Sequence, residues 1–302
     1  MFIAWRKPSR RQGTLERRCD FHLGEAIRAL LAGSYDKAET HSGTALSIGR
    51  ELYAKTGAHR PDLAAALTSH AVSNAAYGRM GEAMALLTES AGHYAALAHA
   101  DPVAYEVPRI DVLSRVAVAA DAVGNVTDAV ALLREVIRMY DSVPIADLDQ
   151  DRDLATGRDL GAERDLGLAR ARFHLGRCLL KTGTREAALA EIDAGLADAE
   201  RAWERLALRT EAPDWLETAP RCVQLAAPDW ATAAARAMTL HAAGGHWDEA
   251  DQAARVAIRV SAGLAAVGGD EQRAAHAAIR ERAAAISAQE RDSRATVGSP
   301  ET

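Results

Sequence analysis

Aromatic residues make up only 5% of this chain, and Phe occurs three times in 302 residues. Large flat side chains therefore cannot fill its core, although hydrophobic residues reach 48%. Much of that fraction is Ala, so the core must consist of thin layers of small side chains, which suits helix packed on helix. Val, Ile and Thr alternating with polar residues, the mark of strands, are missing throughout. The three cysteines, Cys19, Cys178 and Cys222, lie far apart, and none belongs to a CxxC or a Cys/His cluster. A reduced, cytoplasmic setting is expected from that usage. No stretch approaches a membrane span, and the Arg10–Arg11 pair is followed by no apolar segment of the kind an export signal needs. Lysine is confined to Lys7, Lys37, Lys55 and Lys181, leaving 32 of the 36 basic residues as Arg. With the Ala richness, this composition suggests a GC-rich bacterial genome.

Charge is unevenly placed. Residues 1–18 carry six basic groups against Glu16 alone, a net of +5, which leaves −11 of the total −6 for the remainder. An acidic body is repelled by nucleic acid and by anionic lipid, so any nucleic-acid contact is expected only through this basic arm. The plainer reading of the arm is a solvated tail.

What the chain does contain is a recurring six-residue skeleton. GHWDEA at 245–250 is matched by GSYDKA at 33–38, GRMGEA at 78–83, GNVTDA at 124–129 and GTREAA at 183–188. The Gly/Ala pairs are Gly33/Ala38, Gly78/Ala83, Gly124/Ala129, Gly183/Ala188 and Gly245/Ala250. Seven residues before each Gly stands a mostly small residue (Ala26, Ala71, Ala117, Gly176, with Met238 the exception), and thirteen after it an apolar one, large in all but one copy (Leu46, Ala91, Ile137, Leu196, Ile258). The Gly is expected to end one helix in a left-handed conformation, the acidic or polar residues after it to open the next, and the Ala to lie against the partner helix. Each unit is then a helical hairpin that buries its apolar face only by stacking on its neighbours.

The skeleton resembles the tetratricopeptide repeat (TPR) over roughly residues 20–267, in the extended form similar to the kinesin light chain subgroup and to repeat regions of actinobacterial regulatory proteins. It departs from the family at Arg185, where an aromatic is usual, and HEAT-like or other helical-hairpin arrays fit the same skeleton. The resemblance implies an all-α, right-handed superhelical solenoid of about five antiparallel helix pairs with a C-terminal capping helix. Expected boundaries are a basic arm over 1–18, repeats one to three over 19–141, a charged linker over 142–165, repeats four and five over 166–267 with an extra short helix near 213–225, a cap over 268–290 and a disordered tail over 291–302. Arg-Asp-Leu recurs at six-residue intervals inside the linker and Ala-Pro-Asp-Trp recurs at 212–215 and 227–230. Trp215 and Trp230 are read as a packed hinge rather than a partner surface.

No phosphate-cradling Gly loop, nucleophile elbow or HExxH is present, so no catalytic, metal or cofactor site is expected, and an all-helical enzyme is the remote alternative. What the family resemblance implies instead is binding of a partner peptide or helix along the concave face. Carrying the family's register over, copy three presents Asp111, Ser114, Val118 and Asp121, and copy four Arg170, Phe173, Arg177 and Lys181; the first two copies present Leu23, Ile27, Leu30, Thr68, Val72 and Ala75. The alternative for those apolar copies is a cap or a homodimer interface. The Lys/Asn clamp of chaperone-tail adaptors is absent, and the groove asparagines of peptide-pheromone receptors are not matched, since the chain has only Asn74 and Asn125. The expected function is a cytoplasmic interaction scaffold whose basic copy four meets an acidic partner; the alternative is the regulatory module of a bacterial transcription regulator, with the arm on DNA.

Overall fold

The structure, a computed structural model, describes residues 13–56, 60–144, 159–206, 215–219 and 221–297. Its helices are α1 (Thr14–Leu31), α2 (Tyr35–Thr56), α3 (Arg60–Ala76), α4 (Met80–Ala100), α5 (Pro102–Ala122), α6 (Val126–Ser142), α7 (Leu160–Lys181), α8 (Arg185–Arg205), the single turn α9 (Trp215–Thr218), α10 (Arg221–Ala243), α11 (Trp247–Val267) and α12 (Asp270–Val297). There is no strand among the described residues. The pairs α1/α2, α3/α4, α5/α6, α7/α8 and α10/α11 are hairpins, each stacked on the next, and α12 packs on α11. The chain is therefore an all-α, TPR-like solenoid of five antiparallel helix pairs closed by a terminal helix.

All five hairpins turn in the same way. Gly33, Gly78, Gly124, Gly183 and Gly245 have φ between 69° and 90°, the left-handed region that an L side chain enters at a cost of about 1–2 kcal/mol. In each, the Gly amide bonds to the carbonyl three residues back and the following amide to the carbonyl five back, as in Gly124 N–H to Asp121 (3.0 Å) and Asn125 N–H to Ala120 (2.9 Å). Two orphan carbonyls at the end of the first helix are thereby satisfied while the chain reverses.

Close helix approach follows from the small residues on either side of the turn. Ala26, Ala71 and Ala117 before the Gly, and Ala38, Ala83, Ala129, Ala188 and Ala250 after it, are all fully buried. At Gly176 a Cβ would lie 2.7 Å from Ile192 and 2.9 Å from the Ala188 carbonyl, so α7 and α8 meet with no room even for a methyl group. The few large rings find the same kind of notch. Phe173 fills the space over Gly195, and Trp215 the space over Gly263, where added Cβ atoms would come within 2.7 and 2.6 Å. Trp203, Trp215 and Trp230 form one cluster, with centroids 4.8 and 5.3 Å apart, inside the core of the last two repeats. Trp215 and Trp230 are thus packed side chains and present no surface to a partner. At the far end, the α11–α12 corner returns toward the first turn, so that a Cβ on Gly269 would be 3.8 Å from the Ala32 carbonyl.

Two helices run through an internal proline. α5 begins at Pro102, capped by the Asp101 carboxylate accepting from the Ala104 amide (3.1 Å), and runs through Pro108. α10 begins at Arg221 and runs through the exposed Pro228, carried by the buried Val223, Ala226 and Ala227. α7 begins at Leu160 with Asp159 as cap, so the third Arg-Asp-Leu is helical; the first lies outside the described residues and the second reaches them only at Asp159 and Leu160. Arg164 is held there by Asp165 (2.8 Å) and by the Tyr140 carbonyl (3.0 Å). α1 begins at Thr14, inside the segment read as an arm, whose residues 1–12 lie outside the described residues. α12 continues to Val297, seven residues past the expected end of the cap, with Arg294 paired to Glu290 (2.6 Å).

Two glycine substitutions separate backbone conformation from packing. Gly124→Ala, with open space around it, is expected to lower stability by about 1–2 kcal/mol through its φ of 90° alone. Gly92→Ala, equally unobstructed on the exposed side of α4, is expected to raise it by roughly 0.5–1 kcal/mol. Denaturant unfolding of both variants measures the pair.

Candidate partner-binding groove

The first helices of adjacent repeats touch one another at α1/α3, α5/α7 and α7/α10, but α3 and α5 hardly meet. A cavity of about 280 Å³ opens at that place, and four of the five repeats contribute to it. Its apolar wall is Ala71, Val72 and Ala75 of α3 with Met80, Ala83 and Leu87 of α4. Val118 and Ala119 of α5 continue it. Its polar wall is Ser114 and Arg115 of α5, Arg170, His174 and Arg177 of α7, and Asp229 of α10. A smaller cavity, of about 60 Å³, adjoins it between α7 and α10, bordered by Phe173, Ile192, Thr232, Ala233 and Arg236. His174, Arg177 and Asp229 border both.

The charged groups of this wall are organised by two buried aspartates. Asp111, 1% exposed, accepts from Arg115 (3.0 Å) and pairs with Arg170 of the next repeat. Asp121, 3% exposed, accepts from Arg177 (2.9 Å) and Lys181 (2.6 Å), again across the repeat boundary. Burial alone would push the Asp121 carboxyl up; the hydrogen bonds and charges of Lys181 and Arg177 outweigh it and hold the group below the usual aspartate range. Burial lowers the pKa of Arg115 and Arg170. His174 is driven down to about 4, chiefly by burial, against the opposing pull of Asp229 at 3.7 Å. At neutral pH the imidazole is therefore uncharged, and Asp229 faces no cation within ion-pair distance among the described residues. The Ser114 hydroxyl is buried with no hydrogen-bond partner, and so is the Arg177 Nε.

Of the residues selected from sequence, Ser114, Arg170 and Arg177 lie on the main cavity and Phe173 on the smaller one, while Asp111 and Asp121 stand behind the wall as anchors for its cations. Lys181 completes the Asp121 pair. Acidic copy three and basic copy four thus neutralise one another. Val72, Val118 and Arg177 each stand six residues before their repeat's Gly, so that register position faces the cavity in three successive copies. Leu23 and Ile27 are buried in the first repeat instead. The position nine before the Gly carries Ser69, Arg115, His174 and Arg236 in successive copies from the second, and its last three residues line the cavities. Sequence reasoning passed over it, although three consecutive basic side chains in one register were a visible signal. Asp229 and the α4 residues had no such signal.

No group of three or more His, Cys, Asp or Glu comes together as a metal site among the described residues, and no described helix is long and apolar enough to cross a membrane. His93 packs against Tyr53, and His241 lies 3.0 Å from Asp193, both as parts of the helix packing.

No protein-family model matches the chain, and no curated protein does. Among solved structures, a kinesin light chain from Podosopora anserina with nearly identical TPR-like repeats is 18% identical, with a TM-score of 0.47 over 83% of this chain and 97% of that one. BtubC from P. vanneervenii is 13% identical, with a TM-score of 0.47 over 96% and 95% of the two chains. The Rap conjugation regulator of plasmid pLS20, solved with the Phr* peptide, is 12% identical, with a TM-score of 0.47 over 97% of this chain and 68% of that one. These are likenesses of helical-repeat architecture alone, and no functional residue of this chain is assigned from them.

Removing the Asp111 carboxylate strands two guanidinium groups that are otherwise paired. Asp111→Ala is expected to destabilise the fold by about 3–5 kcal/mol in chemical denaturation, with part of the loss recovered when Arg170 is changed to Met in the same chain. His174 gives a separate signature. Its folded pKa is depressed, so its contribution is complete above the unfolded value near 6.5 and is lost as pH falls toward about 4. The thermal midpoint of the natural chain is expected to fall relative to that of His174→Gln between pH 7 and pH 4.5; parallel curves would show that His174 does not titrate this way.

Proposed function

We propose that this chain is a protein-interaction module, not an enzyme, that binds a segment of a partner protein in the groove formed by α3, α5, α7 and α10. One observation carries the reading. A cavity of about 280 Å³ is walled on one side by small and aliphatic side chains and on the other by a buried hydroxyl, arginines and an aspartate. Pockets that hold ligands combine such an apolar body with a few polar groups that fix orientation. The polar side is rigid, because its cations are held by Asp111 and Asp121 from behind, so little ordering is required when a ligand arrives. The site residues in this reading are Ser114, Arg115, Val118, His174, Arg177 and Asp229, with Asp111, Asp121, Arg170 and Lys181 holding them in place.

The test is to fill the cavity without touching its ion pairs. Val118→Trp adds an indole at the middle of the lining and is expected to leave helix content unchanged while reducing partner capture from a cell lysate at least tenfold. Capture of the same proteins by both chains would remove the cavity from the binding site.

A further inference from the structure

The smaller cavity holds a charge that the fold itself leaves unused. Arg236 of α10 is half-buried on its border and has neither an ion pair nor a hydrogen bond among the described residues. Its surroundings differ from those of the other groove arginines, since Arg115 and Arg170 share Asp111 and Arg177 shares Asp121 with Lys181. Asp229, seven residues earlier on the same face of α10, has its contact with His174 and forms no ion pair with Arg236. A guanidinium on a cavity border without a counter-ion keeps its donors free for an incoming anion, which it binds by charge-assisted hydrogen bonds. Arg177, with its Nε unpartnered, borders the same cavity.

Charge also gives the groove a direction. Asp229 borders both cavities and disfavours a second carboxylate beside it, whereas Arg236 is found only on the small one. The large cavity, with its Ala, Val, Leu and Met wall, accepts an aliphatic side chain. Because Asp229 lines both cavities, the large cavity and Arg236 belong to one continuous groove that a single extended segment can occupy.

We propose, building on the groove-binding reading above, that the partner segment is acidic and runs in a fixed register: an aliphatic side chain in the large cavity and a carboxylate of the same segment on Arg236. The selectivity for an acid resides in Arg236, not in the paired arginines of α7.

The proposal is tested with the full chain and fluorescently labelled, N-acetylated, C-amidated ten-residue peptides built on Ala and Ser. One set carries a single Leu and a single Glu separated by one to five residues in both orders; its counterparts replace Glu with Gln, or Leu with Ala. Blocked ends remove the terminal carboxylate as a competing anion. The expected result is that Leu/Glu peptides at one preferred spacing and order bind at least tenfold tighter than Leu/Gln peptides, with a ratio that shrinks at high salt. Arg236→Gln, which breaks no ion pair or hydrogen bond among the described residues, is expected to abolish that ratio and leave Leu/Gln binding in place, with helix content confirmed by circular dichroism. Equal binding of Glu and Gln peptides, both lost in Val118→Trp, overturns the acidic register and leaves the groove as a binding site. A Glu preference that survives Arg236→Gln also overturns it. Absence of binding by every peptide, in both the natural chain and Val118→Trp, removes the acidic register and the groove reading together.

Discussion

Each hairpin in this molecule depends on one backbone residue held at positive φ. If that residue could not adopt the left-handed conformation, the first helix of each pair would continue or splay, and the Ala five residues on would lose its place against its partner. The turn is short because the glycine bends the chain and satisfies two terminal carbonyls in one step. Close packing then follows from small side chains on both sides of the corner. A composition poor in aromatics and rich in Ala is the consequence: where the helices meet backbone to backbone, a large ring fits only over a glycine, as Phe173 and Trp215 do.

A second layer of order is electrostatic and belongs to the junction between the third and fourth repeats. Asp111 and Asp121 project from α5, and Arg170, Arg177 and Lys181 meet them from α7. Buried pairs of this kind contribute little net stability, because withdrawing each charge from water offsets most of the attraction. Their effect is positional. They fix the spacing of two helices whose connecting residues 145–158 are outside the described structure, and they hold the arginines of the groove wall in one arrangement.

The fold was largely legible from sequence, and the reason is local. A glycine followed by an acid and an Ala sets a turn through backbone conformation, which nearest neighbours in sequence determine; all five turns fall where the skeleton places them. Helix starts were less legible near Pro108 and Pro228, because a proline reads in isolation as a first turn, whereas each of these lies inside a helix that a cap or buried neighbours begin earlier. The groove was legible only in part. Facing positions six before the glycine follow from periodicity, but whether Asp111 points at a partner or at Arg170 depends on a residue 59 positions away in another hairpin. Asp229 enters the cavity from the fifth repeat because of the curvature of the whole array, which no local pattern encodes.

The matched charges of the third and fourth hairpins also restrict how this chain could have come from its own duplication. The five corners are interchangeable as backbone, so shuffling of units would preserve every turn. The facing helices are not interchangeable: exchanging the third unit with the second would set Ala65 and Ala75 of α3, the counterparts of Asp111 and Asp121, against Arg170 and Arg177, leaving those cations without their anions. Order along the array is thus written in side-chain charge while shape is written in glycine, and a rearranged descendant would keep the corners and lose the sequence of its repeats.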